Sequence, residues 1–333
     1  MSPTATESTS QPACRRRSIL DLDCELSLPL PFPLDYTVLD TPTTIQARLI
    51  GPEDGDVILV MGGISAHRHA ADWTGASSHA NSHQVGWLNS LVGYDALLSP
   101  ERFRILTVDF LPNDAHGAGY RVSPADQARV AQFACDYFGI STLTAWLGYS
   151  YGGMVGLHFA RLFPDRLQQL IVASAAHRPC PMGSAWRTVQ RQIIQLGLST
   201  GQAGEGFKIA RALGMTTYRT PEEFSQRFTS LQDIEQYLEN RGRAITQKMS
   251  AERYLRLSES IDLHTIAPET ISTPVALLGF RQDQLVPPAD MAELRDRLPH
   301  VSHFFETDSL YGHDGFLKET DWVTQALRQI LNH

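Results

Sequence analysis

The sequence predicts an α/β fold, a mostly parallel sheet with helices on both faces, carrying a helical insertion. Three observations predict it. Short apolar runs that end in glycine or turn residues alternate with helical patterns, as buried parallel strands joined by crossover helices do. Residues 178–268 break the alternation, with helical patterns and no convincing buried strand. After them the strand pattern resumes. The chain has 333 residues, enough for one large domain with an insertion.

Residues 1–24 are Ser/Thr-rich, with Arg15, Arg16 and Arg17 in a row, and are expected to be a flexible tail. They lack the apolar stretch of a secretory signal. Residues 25–40, "ELSLPLPFPLDYTVLD", are an extended lead-in. "DVILVMGG" (56–63) and "RFRILTVDF" (102–110) read as buried strands. A helix is expected over 123–140, with Ser123 as N-cap, Pro124 at the first helical position and Gly139 as its stop. "LTAWLGYS" (143–150) is a third strand, 152–166 a helix ending before Pro164, and "LQQLIVASAA" (167–176) a fourth strand. Beyond the insertion come the strands "TPVALLGF" (273–280) and "VSHFFET" (301–307), then a helix from Asp321 to Asn332. The expected organisation is a tail at 1–24, a core at 25–177 and 269–333, and a helical lid at 178–268.

Hydrophobic residues are 42 % and charged residues 19 %, a globular composition. The net charge of -8 argues against a broad nucleic-acid surface but leaves room for a local basic pocket. Four scattered cysteines, with no CxxC pair, exclude a disulfide scaffold or structural zinc site as the organising principle. No apolar run is long enough to span a membrane. A cytoplasmic protein that binds neither membrane nor nucleic acid is the expectation.

"GYSYG" (148–152) lies between an apolar strand and an apolar helix, the setting that a G-x-S-x-G nucleophile elbow requires. This refines the fold to an α/β-hydrolase fold with Ser150 as nucleophile. In that fold the acid and histidine follow the serine in chain order. Asp283 stands three residues past the strand end at Phe280; Asp290 falls in the following helix and is a poorer acid. His313 lies on a glycine-flanked loop before the final helix, whereas His300 and His303 begin or occupy a strand. Ser150, Asp283 and His313 are therefore the expected triad. The oxyanion donors are expected to be the backbone N–H groups of Tyr151 and of Ile64, which follows Gly62 and Gly63. His67, His69, His79 and His83 could be read as metal ligands, but the triad needs no metal, and none is expected.

Further residues carry a resemblance. "GGISAHRH", "GWLNSLVGYDALLSPERFRILTVDFL", "GYSYGGMVGLHFA", "SAAHRPCPMGSAWRTVQRQIIQLG", "YRTPEEFSQRF" and "GHDGFL" are spread from residue 55 to 330. On these stretches the chain resembles the homoserine O-acyltransferase family, and most of all its bacterial succinyl-transferring members. Acetyl-transferring members carry a "GGC-x-GSTGP" stretch where this chain reads "LPNDAHGAG" (111–119). That departure counts against acetyl transfer and leaves Asn113 without a role.

The resemblance implies transfer of a succinyl group from succinyl-CoA to the hydroxyl of L-homoserine through a Ser150 acyl-enzyme, the first step of the transferase route to methionine. It needs no cofactor, acyl-CoA being a substrate. It also implies that Asp314 binds the acceptor's ammonium group and that Arg191, by its place in "QRQI", binds the acceptor's carboxylate. Arg187 or Arg178 is then left for the second carboxylate of a succinyl group. Arg187 and Arg191 share one face of their helix, while Ala185, Val189, Ile193 and Leu196 are expected to face the core. A homodimer through the lid is also implied. The alternatives are the same chemistry with acetyl-CoA or L-serine, an esterase, and a non-enzymatic receptor on the same fold.

Overall fold

The computed structural model describes residues 19–72, 86–113 and 119–331. His79, His83 and residues 1–18 of the expected tail lie outside them. An eight-stranded sheet runs in the order β1-β4-β6-β5-β7-β8-β9-β10. Its strands are β1 (Ile19–Ser27), β4 (Thr44–Pro52), β5 (Asp56–Met61), β6 (Phe103–Val108), β7 (Ala145–Tyr149), β8 (Leu170–Ala173), β9 (Val275–Phe280) and β10 (Val301–Thr307). A small hairpin pairs β2 (Phe32–Pro33) with β3 (Val38–Leu39). The strands from β6 to β10 along this order are parallel, and β4 and β1 add antiparallel at the edge.

Side chains alternate between two cores, as the period of two in a strand demands. Leu59, Met61, Trp146, Val172 and Leu277 face one layer with helices α1 (Pro124–Tyr137), α2 (Tyr151–Leu162) and α8 (Pro288–Arg297). Ile58, Val60, Leu147, Ile171 and Leu278 face the other, under α10 (Thr320–Ile330). Ser123 caps α1 in a capping box with Asp126, and Gly139 after it has φ +65°.

Two expectations need correction here. Residues 19–24 are not tail: they belong to β1, which pairs in register with β4. Both strands have mixed burial, with Leu26 inward on β1 and Ile45, Ala47 and Leu49 inward on β4. They alternate instead of forming continuous apolar runs, so a search for buried parallel strands passes over them.

Between β8 and β9 the described chain holds only helices: α3 (Pro181–Ser199), α4 (Ala203–Tyr218), α5 (Pro221–Arg227), α6 (Leu231–Thr246), α7 (Ala251–Asp262) and a short 3-10 turn. The second correction concerns α3. Ala185, Val189 and Leu196 face outward, with Val189 46 % and Leu196 65 % exposed; Ile193 is half-buried. The buried positions are Gly183, Gln190, Ile194 and Gly197. Polar Gln190 goes inward because it accepts a hydrogen bond from the Tyr254 hydroxyl of α7 (2.5 Å), so an apolar count misjudges the buried face.

Candidate active site

The site forms where the parallel strands end, as it does in open α/β sheets. The chain leaves β7 and turns into α2 at Ser150, which has φ 52° and ψ −118°. A non-glycine residue rarely adopts this left-handed φ, and here the flanking glycines over-determine it. A Cβ on Gly152 would stand 2.2 Å from the Met61 carbonyl oxygen, and one on Gly148 2.4 Å from that of Gly152. The turn therefore closes only with glycine at both places.

The Ser150 Oγ lies 2.9 Å from His313 Nε2, and His313 Nδ1 lies 2.8 Å from Asp283 Oδ2. A carboxylate only accepts, so Nδ1 carries the proton and Nε2 is left to accept from the serine hydroxyl. The other Asp283 oxygen accepts from the N–H groups of Leu285 and Val286, both at 2.9 Å. The carboxylate is buried and fully hydrogen-bonded, which fixes the imidazole's orientation. Burial of His313 acts to lower its pKa. The charge and hydrogen bond of Asp283, with the charge of Asp314, outweigh this, and the net direction is upward.

Tyr151 is the first residue of α2, so its N–H has no acceptor within the helix and sits at the positive end of the helix dipole. Gly152 N–H donates to the Gly62 carbonyl (2.9 Å), holding the loop of Gly63 and Ile64 against the elbow. The Tyr151 side chain is buried, and its hydroxyl hydrogen-bonds Ser260 Oγ of α7 at 2.6 Å.

Ser150, His313, Ile64 and Asp314 line one cavity of about 430 Å³, roofed by the lid helices. The candidate cations divide. Arg187 and Arg178 reach the cavity wall. Arg187 is held by Asp262 Oδ1 through Nε (2.9 Å) and Nη2 (2.6 Å), and Arg178 by Glu293 (2.6 Å). Arg191 does not reach it, against the expectation. It binds Asp262 Oδ2 (2.6 Å) from the far side and lines a separate outer cleft with Arg121 and Arg256. Asp262 stands between the two arginines of α3, so one helical turn puts them on opposite sides of it.

Sequence reasoning missed Arg211 of α4. It lines the cavity, its guanidinium stands 5.0 Å from the Tyr218 ring centroid, and it has no carboxylate in ion-pair range among the described residues. Asp314, by contrast, is paired with the buried Arg219 at 2.9 Å. "FKIARALG" gives a helical arginine that looks like any solvated one until the lid is folded over it.

His67 and His69 are engaged locally. His67 Nδ1 accepts from the His69 N–H, and His69 Nδ1 accepts from Arg48 (2.9 Å). Asn113 donates to the Thr44 carbonyl (2.7 Å), which ties the 111–113 loop to β4.

Comparison with known proteins agrees with the fold. The model of the α/β-hydrolase fold family matches residues 79–320. The homoserine O-succinyltransferase of Xanthomonas campestris pv. campestris is 38 % identical over 296 residues, 86 % of this chain and 78 % of that protein. The chain belongs to the homoserine O-acyltransferase family. The serine O-succinyltransferase of Litchfieldella anticariensis is 27 % identical over 333 residues, covering 85 % of this chain and 86 % of that one. Among solved structures, the homoserine O-acetyltransferase of Staphylococcus aureus superposes with a TM-score of 0.79 at 22 % identity, over 94 % of this chain and 96 % of that one. The Xanthomonas and Litchfieldella relatives are named for the same acyl group and for different acceptors, homoserine and serine. No helix among the described residues is long and apolar enough to cross a membrane.

Proposed function

We propose that this chain is a cytoplasmic homoserine O-succinyltransferase acting at the first step of the transferase route to methionine. The observation that carries the reading is the hydrogen-bonded chain Ser150–His313–Asp283 opening into a cavity walled by arginines. The 38 % identity to a homoserine O-succinyltransferase supports the choice of substrates.

Ser150 Oγ attacks the thioester carbonyl of succinyl-CoA while His313 Nε2 takes its proton. The N–H groups of Tyr151 and Ile64 stabilise the oxyanion. The intermediate collapses, the C–S bond breaks, and His313 returns the proton to the CoA sulfur. The homoserine hydroxyl then gives its proton to His313 and attacks the acyl-enzyme; breakdown restores Ser150–OH and releases O-succinylhomoserine. Asp314 receives the homoserine ammonium. Arg211, and not Arg191, receives its carboxylate, since its guanidinium faces the cavity without a carboxylate partner. Arg187 receives the distal succinyl carboxylate; Asp262 holds its Nε and Nη2, and its Nη1 makes no hydrogen bond among the described residues. The exposed apolar row on α3 supports a homodimer packed through the lid.

The test is free-CoA release with acetyl-CoA or succinyl-CoA against homoserine or serine. Succinyl-CoA with homoserine is expected to dominate, and Ser150→Ala to abolish turnover. A dominant rate with another pair would overturn the substrates; CoA release indifferent to any amino acid would make the chain a hydrolase.

A further inference from the structure

The cavity is strongly basic in an acidic protein. Its lining carries Arg and Lys at seven positions and Asp at two, in a chain whose net charge is -8. Four of the seven are engaged inside. Arg178, Arg187 and Arg219 have carboxylate partners, and Arg211 stands against Tyr218. The other three are Arg241 of α6, Lys248 just after it, and Lys318 on α9 (Gly315–Lys318), the short helix that follows His313. All three are exposed while lining the cavity, which places them at its mouth. None has a carboxylate in ion-pair range among the described residues; Arg241 packs only over the Tyr237 ring, 5.4 Å from its centroid. Some exposed arginines elsewhere have acidic partners, such as Arg243 with Glu239 (2.7 Å), Arg281 with Asp308 (2.7 Å) and Arg297 with Glu269 (2.7 Å), while Arg161 and Arg328 have none in ion-pair range among the described residues. What sets Arg241, Lys248 and Lys318 apart is that they share one cavity mouth. The mouth thus keeps three cations uncompensated, two from the lid and one from the core.

We infer that Arg241, Lys248 and Lys318 form a phosphate-binding rim for the nucleotide end of the CoA thioester. This rests on the acyl-CoA reading above and adds the part of the donor that lies outside the cavity. A cavity of about 430 Å³ is at the lower end of the range that encloses a drug-sized ligand. It has room for the acyl group, the sulfur and the amino acid, and leaves the diphosphate and 3′-phosphate of CoA at the mouth. Low-dielectric walls lined by one sign of charge focus the field there and draw in a polyanion. Lys318 follows His313 by five residues, so the core side of the rim and the base sit on one short segment. Rim charges of this kind act on association and its salt dependence more than on the chemical step.

The test uses the full-length protein and two donors, succinyl-CoA and succinyl-pantetheine, which has the same thioester and no phosphates. The variants are R241E, K248E and K318E, singly and together. In the wild type the KM for the CoA thioester is expected to be the lower of the two and to rise with ionic strength, while that for the pantetheine thioester stays flat. In the triple variant the KM ratio between the donors should collapse by about tenfold, since three exposed ion pairs are reversed. Calorimetric binding of free CoA should weaken in parallel, a readout independent of turnover. Equal KM changes for both donors, or CoA binding untouched by the reversals, would overturn the rim while leaving the acyltransferase reading intact. A wild type that transfers from neither donor would overturn that reading, and the inference with it.

Discussion

On the proposed mechanism, His313 sets the acid limit of the reaction. It works as a base only when neutral, and its pKa is raised above the ordinary 6.5 because the Asp283 and Asp314 carboxylates outweigh the effect of burial. The pH profile of kcat/KM should therefore show its acid inflection above 6.5. Asp283→Asn should move the inflection down and lower kcat by roughly three to four orders of magnitude, the scale on which loss of the orienting carboxylate acts in such triads. Asp314→Asn should move it down less and raise the KM for homoserine. An Asp314→Asn profile superimposable on the wild type would remove Asp314 from the site. For stability the same shift has its own sign. A histidine whose pKa rises on folding stabilises the folded chain below about 6.5, and that contribution fades as the pH climbs through the folded value.

At this scale the residues of the hydrogen-bonded chain Ser150–His313–Asp283 were legible and the placement of the arginines was not. Ser150, Asp283 and His313 each sit just past a strand end, and strand ends can be located from apolar runs. Arg211 and Arg191 both lie on amphipathic lid helices, where only the packing of one helix over another decides which guanidinium faces the cavity. Arg211→Ala is expected to raise the KM for homoserine by roughly 10–100-fold, the loss of a charge-assisted hydrogen-bonded pair. Arg191→Ala should leave that KM within about twofold, since it sits beyond Asp262, and initial-rate kinetics separate the two.

At the level of elements, parallel strands were read correctly from their continuous apolar runs, and the antiparallel edge was not. β1 and β4 reveal themselves by alternation, which a search for doubly buried strands does not weigh. The lid helices were visible as helices, but not the direction each faced. On α3, Met182, Val189 and Leu196 recur every seven residues and are 57 %, 46 % and 65 % exposed, one apolar row along a single helix side. This row is the surface on which the proposed homodimer would pack. Leu196→Asp with Val189→Asp should convert a dimer to a folded monomer in sedimentation velocity, with unchanged helical circular dichroism. A wild type already monomeric at micromolar concentration would end the dimer proposal.

For the molecule as a whole, the interior couples core and lid through groups that tolerate no charge. His158 on α2 lies 3.1 Å from His264, which follows α7 and also hydrogen-bonds the Ala176 carbonyl at 2.8 Å. Burial first, then the neighbouring His264 and Arg161, pushes His158 down to about 3. Burial with the charge of His177 takes His264 to about 4, against the opposing carbonyl bond. Folding lowers both values from 6.5, so their contribution to stability is complete above 6.5 and is lost as the pH falls toward 4 and 3. The melting temperature should decline in that acid range, and less steeply in His158→Gln. Equal slopes would assign acid lability to the carboxylates instead.

The bond between the Tyr151 hydroxyl and Ser260 has a practical bearing on engineering within this family. The residue proposed to offer its amide to the oxyanion is, through its ring, also tied to the insertion. Exchanging lids to alter acceptor choice is therefore not a swap of an independent module. A graft that removes the hydroxyl at position 260 takes one of two hydrogen-bond partners from a buried phenol next to Ser150, leaving Gln127 as the other. Chimeras are best cut so that Tyr151 and Ser260 come from the same parent.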